Sequence, residues 1–368
     1  MDGCESTTDS VGPTSPDTPQ SILPAGMTPR AAAPPPLSAT RLGRRSFLGG
    51  AVAGAFGLIA YGRRASLRGE GENPRPVPQA TLMLVGGGIP EVLAADLQKP
   101  GRRKDPAYCD PCGLFREMLR LSSNPRPHVE CITCADEDDP NVLGEQHRLV
   151  IESLGAGSVG FFGPLQKRDV VRDEAIVERL WRADIVLLCG GDQSLLDERF
   201  GATPACAVLR DRYWRDTSFV LAGNSAGAMV LANEMITGGG EVAGRTPSMG
   251  TGWNFVTATV DTHVGPRRRR RLGRAVMKSS SGIGVGITTQ AALVIGPRTA
   301  SVVSGPVIFV RRAERAADGR PTRPDAKLLT VEGCEAYARD GLTARIYQPG
   351  QTPDRDDLNR LIGTPKKA

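Results

Sequence analysis

The stretch VLAGNSAGAMVLANEM, from Val220 to Met235, constrains the fold more than any other part of the chain. An apolar, strand-like segment runs into Gly-Asn-Ser-Ala-Gly, and an alanine-rich segment with helical propensity follows. Glycines two residues before and two residues after Ser225 permit the sharp strand-to-helix turn known as a nucleophile elbow. In such a turn the backbone N–H of Ala226 faces a developing oxyanion. The alternative reading is a serine in an ordinary glycine-rich turn.

The segments around this turn predict an α/β fold with a doubly wound, mostly parallel sheet. Apolar strand patterns end in glycines and alternate with amphipathic helices. Strands are predicted at residues 80–88, 128–135, 158–163, 185–189 and 219–223, and the C-terminal part is β-rich. The ordinary hydrophobic content of 40% fits one globular domain, which we place at 80–349, with a polar tail at 350–368.

The N-terminal region predicts an exported protein. Residues 1–40 are proline-rich and predicted to be disordered, and residues 65–79 form a linker. Between them, at 41–64, Arg44 and Arg45 precede an apolar run that is shorter than the roughly 20 residues of a membrane span. This pattern resembles a twin-arginine export signal, so we expect a periplasmic, extracellular or membrane-anchored protein. The alternative is a short buried helix.

A nucleophilic serine requires a base, and histidine is the usual one. The chain has three histidines. His128 begins a predicted strand and His147 lies in a polar helix, so both are best read as structural or solvated. His263 follows the strand pattern VTATV directly, and strand ends are where a doubly wound sheet places its active-site groups. We therefore predict that His263 is the base, against the alternative of a surface histidine beside an arginine run.

Four motifs carry a more specific resemblance. CGGDQSLL, GNSAGAM, DTHVGPRRRRRLGRAV and GVGITTQAALVIG occur in this order, and the opening strand LMLVGGG precedes them. Together they resemble the cyanophycinase-like serine peptidases, a group that includes the aspartyl dipeptidases, over roughly residues 80 to 345. The resemblance implies a flavodoxin-like or class I glutamine-amidotransferase-like core.

The resemblance also implies roles for individual residues. Ser225 would be the nucleophile and His263 its general base, and the N–H groups of Gly191 and Ala226 would form the oxyanion hole. The substrate pocket would be lined by Asp192, Gln193, Asn224 and Asp261. Arginines among Arg267, Arg269 and Arg271 would bind carboxylates of an aspartate-rich or β-linked peptide, as guanidinium groups do in bidentate fashion. No cofactor is implied.

The chain departs from the family pattern where the triad acid is expected. The family motif G-I-G-I-D-E-D aligns with GVGITTQ, so Thr288, Thr289 and Gln290 replace three acidic residues. Three explanations remain open at this point. Another acid such as Glu314 or Glu332 reaches His263, the site works as a Ser-His dyad, or the protein binds anionic peptides without hydrolysing them.

The cysteines leave a metal site open. Cys109, Cys112, Cys131 and Cys134 form two C-x-x-C pairs with the spacing of a zinc site. The second pair lies along a predicted strand, whose side chains alternate between faces, so disulfides and free thiols are alternatives. Cys189 and Cys206 are expected to be core residues.

Taken together, the sequence predicts an exported serine-type peptidase that hydrolyses peptide or isopeptide bonds through Ser225 and His263. The alternative is a degenerate relative that binds anionic peptides. No nucleic-acid partner is expected, because the arginine run lacks interleaved aromatic residues. Contact with a membrane is expected only through an uncleaved signal, and a homodimer is left open.

Overall fold

The computed structural model describes residues 77–88, 111–242, 245–313 and 341–363, with only the backbone for Pro111, Cys112 and Arg172. The segments predicted as a disordered region and an export signal, and most of the predicted linker, therefore lie outside the described residues. Within the described ranges, no helix is long and apolar enough to cross a membrane.

A seven-stranded sheet lies at the centre of the fold, in the strand order β11-β10-β1-β5-β4-β2-β3. Its strands are β1 (Thr81–Val85), β2 (His128–Ile132), β3 (Ser158–Phe162), β4 (Ile185–Leu188), β5 (Val220–Asn224), β10 (Ala292–Ile295) and β11 (Ala300–Val303). Strands β1 to β5 are parallel, and β10 and β11 add antiparallel pairs at one edge. Continuous apolar runs in β4 and β5 suit strands covered on both faces. The predicted doubly wound, mostly parallel α/β fold is confirmed.

Helices cover both faces of this sheet. They are α1 (Pro111–Arg120), α2 (Pro140–Ser153), α3 (Lys167–Arg172), α4 (Glu174–Arg182), α5 (Gln193–Phe200), α6 (Pro204–Arg215), α7 (Ala226–Val230), α8 (Pro266–Lys278) and α9 (Arg355–Leu361). Helices α1 and α2 share one apolar cluster with alternate residues of the central strands, including Met83 and Leu187. Helices α4 to α6 share the other cluster with Leu84, Leu188 and Leu221. The two layers fix the carboxyl ends of β1, β4 and β5 side by side.

A second, six-stranded sheet follows the elbow, in the order β13-β12-β9-β8-β6-β7. Its strands are β6 (Ala232–Gly238), β7 (Ser248–Thr251), β8 (Val256–Asp261), β9 (Ile283–Ile287), β12 (Val307–Arg312) and β13 (Leu342–Tyr347). The sequence indicated several of these strands but only a β-rich C-terminal part, not a separate sheet. Alternating patterns locate strands, whereas pairing depends on contacts between distant parts of the chain. The important result for the site is that β8 and β9 end beside β1.

The C-terminal segment, predicted as a polar tail from residue 350, contains helix α9. Leu358 and Leu361 are buried, and the carboxylate of Asp354 accepts a hydrogen bond from the N–H of Asp357 at the helix start. Arg311 of β12 donates to Asp356 at 2.6 Å, which ties the helix to the second sheet. The helix is too short for its apolar residues to stand out in the sequence.

Candidate active site

Ser225 lies on the turn between β5 and α7, as the elbow pattern predicts. Its backbone has φ 52° and ψ −112°, a conformation that non-glycine residues rarely adopt. Its N–H donates to the carbonyl of Val85 in β1 at 3.0 Å. The flanking glycines are required sterically, because a β-carbon at Gly223 would collide with the Gly227 carbonyl and one at Gly227 with the Leu188 carbonyl. The turn therefore holds the Ser225 side chain at the carboxyl end of a central strand.

The structure brings His263 to Ser225. The Oγ of Ser225 and the Nε2 of His263 are 2.8 Å apart, within hydrogen-bond reach for a nucleophile and its base. With the neutral imidazole protonated on Nδ1, the Ser225 hydroxyl donates to Nε2. His263 also has a positive φ of 51°, so both members of the pair have strained backbones. Strain of this kind is characteristic of functional sites.

A turn of three glycines after β1 holds the imidazole. The N–H of His263 donates to the carbonyl of Gly86 at 2.7 Å. Gly87, with φ 92°, lies directly against the ring, and a β-carbon there would collide with both Cε1 and Nε2. Sequence reasoning assigned LMLVGGG to the first strand without a role for its glycines. Of these glycines, Gly86 accepts from the backbone of His263 and Gly87 packs against its ring.

The electrostatic surroundings of His263 favour the neutral base. Burial lowers the pKa of His263 below its usual range, and the charges of Arg268 and Arg271 lower it further. Among the described residues, no carboxylate contributes to its pKa. Arg268 was not singled out from the sequence, since its position in a run of arginines gave no sign that it lies near the base.

Two of the residues in place of the family's acid hydrogen-bond to backbone carbonyls. The Thr288 hydroxyl donates to the carbonyl of Pro306 at 2.9 Å. The N–H of Gln290 donates to the carbonyl of Gly87 at 2.8 Å, and its side-chain amide approaches the Gly88 carbonyl at 3.4 Å. Thr289 is exposed between them. The alternative acids Glu314 and Glu332 lie outside the described residues.

The two residues predicted to supply the oxyanion-hole N–H groups lie in the turns that follow β5 and β4. Ala226 is the first residue of α7, and Gly191 follows β4 with φ 130°. A side chain at Gly191 would collide with the Ala135 carbonyl, which explains the glycine. A β-carbon at Gly190 would lie 3.6 Å from the Cβ of Ser225, so this loop adjoins the nucleophile. Within the described part of the chain, neither N–H donates a hydrogen bond. Their role as oxyanion donors stays a prediction.

The four predicted pocket residues differ in how their polar atoms are used. Asp192 caps α5 by accepting from the Ser194 N–H at 2.6 Å, and the Gln193 amide donates to the Ile236 carbonyl at 2.7 Å. Asp261 is completely buried and paired with Arg271. Asn224 is also buried, but its Oδ1 has no hydrogen-bond partner. Substrate-binding roles for all four residues remain predictions. The side chains of Asp192, Gln193 and Asp261 already have hydrogen-bond partners within the protein.

The arginine run forms helix α8, and its members face different surroundings. Arg267 is exposed and Arg269 is half-buried. Arg271 is buried, donates from Nε to Asp261 at 2.9 Å and approaches Glu241 at 3.2 Å. The prediction that Arg271 binds a carboxylate of the substrate stays untested. In this structure its guanidinium is paired with the carboxylate of Asp261. Burial raises the pKa of Asp261, and the Arg271 contact opposes that rise.

The charge of Arg268 gives a testable pH effect. We expect Arg268→Gln to raise the pKa of His263, because a nearby positive charge that disfavours the imidazolium is removed. The acid limb of the kcat/KM profile should move to higher pH by up to about one unit. Arg267→Gln is the matched control on the same helix. Equal shifts in both variants, or none in Arg268→Gln, would contradict the assignment.

The remaining histidines lie apart from Ser225. His147 is buried and its Nδ1 is 2.8 Å from the carbonyl of Leu143. His128 begins β2, at the opposite end of the parallel strands, where its Nδ1 is 2.7 Å from the hydroxyl of Ser158. Its Nε2 is 3.0 Å from Glu130, whose hydrogen bond raises the pKa of His128. Ser158 is thus a second serine in contact with a histidine and provides a useful control.

The described cysteines do not converge on a metal site. Cys131 is buried in the cluster beneath α1 and α2, whereas Cys134 is buried in the cluster on the other face of the sheet. Burial raises the pKa of the Cys134 thiol to about 12, which disfavours the thiolate that zinc binds. No group of three potential ligands is found among the described residues. Cys109 and the side chain of Cys112 lie outside them. Cys189 and Cys206 are buried free thiols, as expected for core residues.

Comparison with known proteins agrees with this geometry. Residues 165–303, which include Ser225 and His263, match the sequence model of Peptidase family S51. A cyanophycinase from a Nostoc species is 31% identical over 185 residues, covering 47% of this chain and 60% of that protein. A cyanophycinase from Synechococcus elongatus is 31% identical over 154 residues, covering 40% of this chain and 47% of that protein. The chain thus matches less than two thirds of the length of these relatives.

The fold has a counterpart among solved structures. The crystal structure of a peptidase from an acI-B1 Actinobacterium superposes with a TM-score of 0.50 and 17% identity. The similarity covers 76% of this chain and 98% of that one. At this identity the likeness concerns the fold, whereas the match to the family model concerns the segment that carries the serine and the histidine. Residues 165–303, which carry Ser225 and His263, are therefore similar to peptidase family S51, and part of the chain is similar to the cyanophycinases.

Proposed function

We propose that this protein is a serine-type peptidase that hydrolyses peptide or isopeptide bonds through a Ser225–His263 dyad. The single observation that carries the proposal is the 2.8 Å contact between the Ser225 Oγ and the His263 Nε2 on a nucleophile elbow. The similarity of residues 165–303 to peptidase family S51 and of part of the chain to cyanophycinases supports the reaction class. β-Aspartyl linkages are the first bonds to examine, because of the similarity to cyanophycinases.

The arrangement supports an acyl-enzyme mechanism. The Ser225 oxygen attacks the scissile carbonyl while His263 Nε2 takes the hydroxyl proton. The N–H groups of Gly191 and Ala226 stabilise the oxyanion. His263 then gives its proton to the departing amine as the tetrahedral intermediate collapses to the acyl-enzyme. Water attacks the acyl group, His263 takes the proton of the water, and Ser225 is released with its hydroxyl restored.

A dyad explains the site better than a complete triad. The Gly86 carbonyl holds the backbone of His263, and the imidazole lies against Gly87, so these contacts position the ring without an acid. A triad acid also stabilises the imidazolium. Among the described residues, the charged groups that affect the pKa of His263 are instead the positive Arg268 and Arg271. We therefore expect a slower enzyme than a triad peptidase, with a base that stays neutral below the usual histidine pKa.

Covalent labelling with a fluorophosphonate probe tests the proposal. We expect the folded protein to label on Ser225, and labelling to disappear in Ser225→Ala and in His263→Ala. Ser158→Ala is the matched control, because Ser158 also contacts a histidine and should leave labelling unchanged. Absence of labelling in folded wild-type protein would overturn the proposal.

The second candidate is binding of anionic peptides without hydrolysis. The observation that favours it is the lack of any carboxylate effect on His263 among the described residues. It predicts that aspartyl peptides bind to the unlabelled protein and are recovered intact. Mass spectrometry of the peptide after incubation separates this outcome from slow turnover.

We also propose that the protein is exported by the twin-arginine route. The support is the pattern at residues 41–64, which lies outside the described residues. Replacing Arg44 and Arg45 by lysine should retain the protein in the cytoplasm, which cell fractionation would detect.

A further inference from the structure

Three arginines of helix α8 contact the loop that follows β6. They are spaced three residues apart and therefore share one side of the helix, at Arg268, Arg271 and Arg274. The guanidinium of Arg274 donates to the carbonyls of Gly240 and Val242, both at 3.0 Å. These two carbonyls flank Glu241 in the chain. Arg274 therefore holds the backbone that carries the Glu241 carboxylate next to the helix.

Glu241 accepts hydrogen bonds from the other two arginines through one carboxylate oxygen. Its Oε1 lies 3.0 Å from the Nε of Arg268 and 3.2 Å from the Nη1 of Arg271. Arg271 is also paired with the buried Asp261, so it keeps a carboxylate partner when Glu241 is removed. Among the described residues, Arg268 forms an ion pair with no acid other than Glu241. The orientation of Arg268 therefore depends on Glu241 more than the orientation of Arg271 does.

Arg268 also contacts the peptide group directly before the base. Its Nη1 donates to the Thr262 carbonyl at 3.0 Å. At the other end of the same peptide group, the N–H of His263 donates to the Gly86 carbonyl at 2.7 Å. The φ of His263 is 51°, an unfavourable value that persists only where the surroundings hold it. Since φ is the rotation between this peptide group and the rest of His263, the two hydrogen bonds help to fix it.

We propose that Glu241 is a positioning residue for the base and acts through Arg268, which holds the peptide group before His263. This inference rests on the proposed peptidase function and adds a residue to the support of its base. Glu241 keeps the Arg268 guanidinium in the orientation that holds the peptide group, and the peptide group directs the imidazole toward the Ser225 Oγ. Without Glu241, the partly exposed Arg268 side chain turns to water, and the peptide group loses one of its two hydrogen bonds.

Substitution of Glu241 in the full chain tests the proposal. The readout is the rate of fluorophosphonate labelling on the plateau above the acid limb of its pH profile, where His263 is neutral in every variant. Glu241→Ala should lower this rate by about 10- to 100-fold, because displacement of a catalytic group by about 1 Å can cost on the order of 100-fold. Glu241→Gln keeps an oxygen that accepts from Arg268 and should recover part of the rate. Glu145→Ala is the matched control and should leave the rate unchanged, since it removes the carboxylate of another Glu–Arg pair, with Arg148 on α2.

Arg268→Lys separates the position of the base from the charge near it. Lysine keeps the positive charge, but a single ammonium group does not reproduce the forked contacts to Glu241 and to the Thr262 carbonyl. We expect the plateau rate of labelling to fall by about 10-fold. The midpoint of the acid limb should stay within about 0.3 pH units of wild type, because the charge that acts on His263 is retained. A plateau rate equal to that of wild type would mean that Arg268 acts only through its charge, and would overturn the inference.

A double variant tests whether Glu241 acts through Arg268. Residues in one hydrogen-bond network have non-additive effects. Glu241→Ala combined with Arg268→Ala should therefore label no more slowly than Arg268→Ala alone. Losses that multiply in the double variant would show that the two residues act independently, which contradicts the proposed chain of contacts.

The remaining outcomes are also distinguishable. The Tm of each single variant should lie within about 4 °C of wild type, because partly exposed ion pairs contribute little to stability. Slower labelling that follows a lowered Tm across the variants would make the pair merely structural and overturn the inference. If wild type labels and Glu241→Ala labels equally fast, the inference is wrong and the peptidase function stands. If wild type does not label, the proposed function itself fails, and the inference fails with it.

Discussion

Gly87→Ala should lower kcat/KM by about 100-fold or more while leaving the protein folded. The added β-carbon would collide with the His263 ring at Cε1 and Nε2, so the imidazole must move away from Ser225. Displacement of a catalytic group by about 1 Å can cost on the order of 100-fold in rate. Steady-state kinetics on an aspartyl anilide, together with the rate of fluorophosphonate labelling, measure the effect.

Gly88→Ala provides the matched control in the same turn. Gly88 has φ 75° and Gly87 has φ 92°, so both alanines adopt an unfavourable left-handed backbone. The β-carbon at Gly88 would meet the methyl group of Thr289 and the side chain of Gln290 rather than the imidazole. Equal losses in the two variants would show that backbone strain, and not displacement of the base, is responsible.

Thr289→Glu should raise kcat/KM by about 100-fold or more, if the turn places the new carboxylate at His263. Thr289 aligns with the glutamate of the family motif, and it lies against Gly88, next to the glycine that supports the imidazole. A carboxylate there stabilises the imidazolium that forms when His263 takes the serine proton. Loss of a triad carboxylate costs about 10⁴-fold in kcat in a serine protease, which sets the upper limit of the gain.

Thr289→Gln has nearly the shape of the glutamate variant without its charge, and is the control. We expect it to leave the rate close to wild type. The pKa of His263, read from the acid limb of the pH profile, should rise in Thr289→Glu and not in Thr289→Gln. A glutamate variant as slow as the glutamine variant would show that the new carboxylate does not stabilise the imidazolium of His263.

The sequence predicted the parts of the site that depend on local geometry. The elbow at Ser225 is recognisable because two glycines, a preceding strand and a following helix lie within a few residues. His263 was selected because it directly follows a strand, and the structure places it 2.8 Å from Ser225. The first inference uses the local glycine pattern, and the second uses the rule that active-site groups lie at the carboxyl ends of strands.

Contacts between distant segments could not be predicted in the same way. The contact of Gly87 with His263 joins the first strand to the end of β8, and nothing near either residue encodes it. The arginine run indicated carboxylate binding, but whether the carboxylate belongs to a substrate or to the protein depends on the rotation of α8. For Arg271 the partner is Asp261. The second sheet escaped prediction for the same reason, since its pairing joins strands separated by helices and loops.

The two members of the dyad follow strands of different sheets, Ser225 after β5 and His263 after β8. The two sheets must therefore close on one another before the serine meets its base. A chain that has folded only its first sheet has an exposed serine with no base, and is inert as a peptidase. Onset of fluorophosphonate labelling during refolding would thus follow the last tertiary step rather than the formation of either sheet. In the proposed mechanism, hydrolysis therefore begins only once both sheets have packed together.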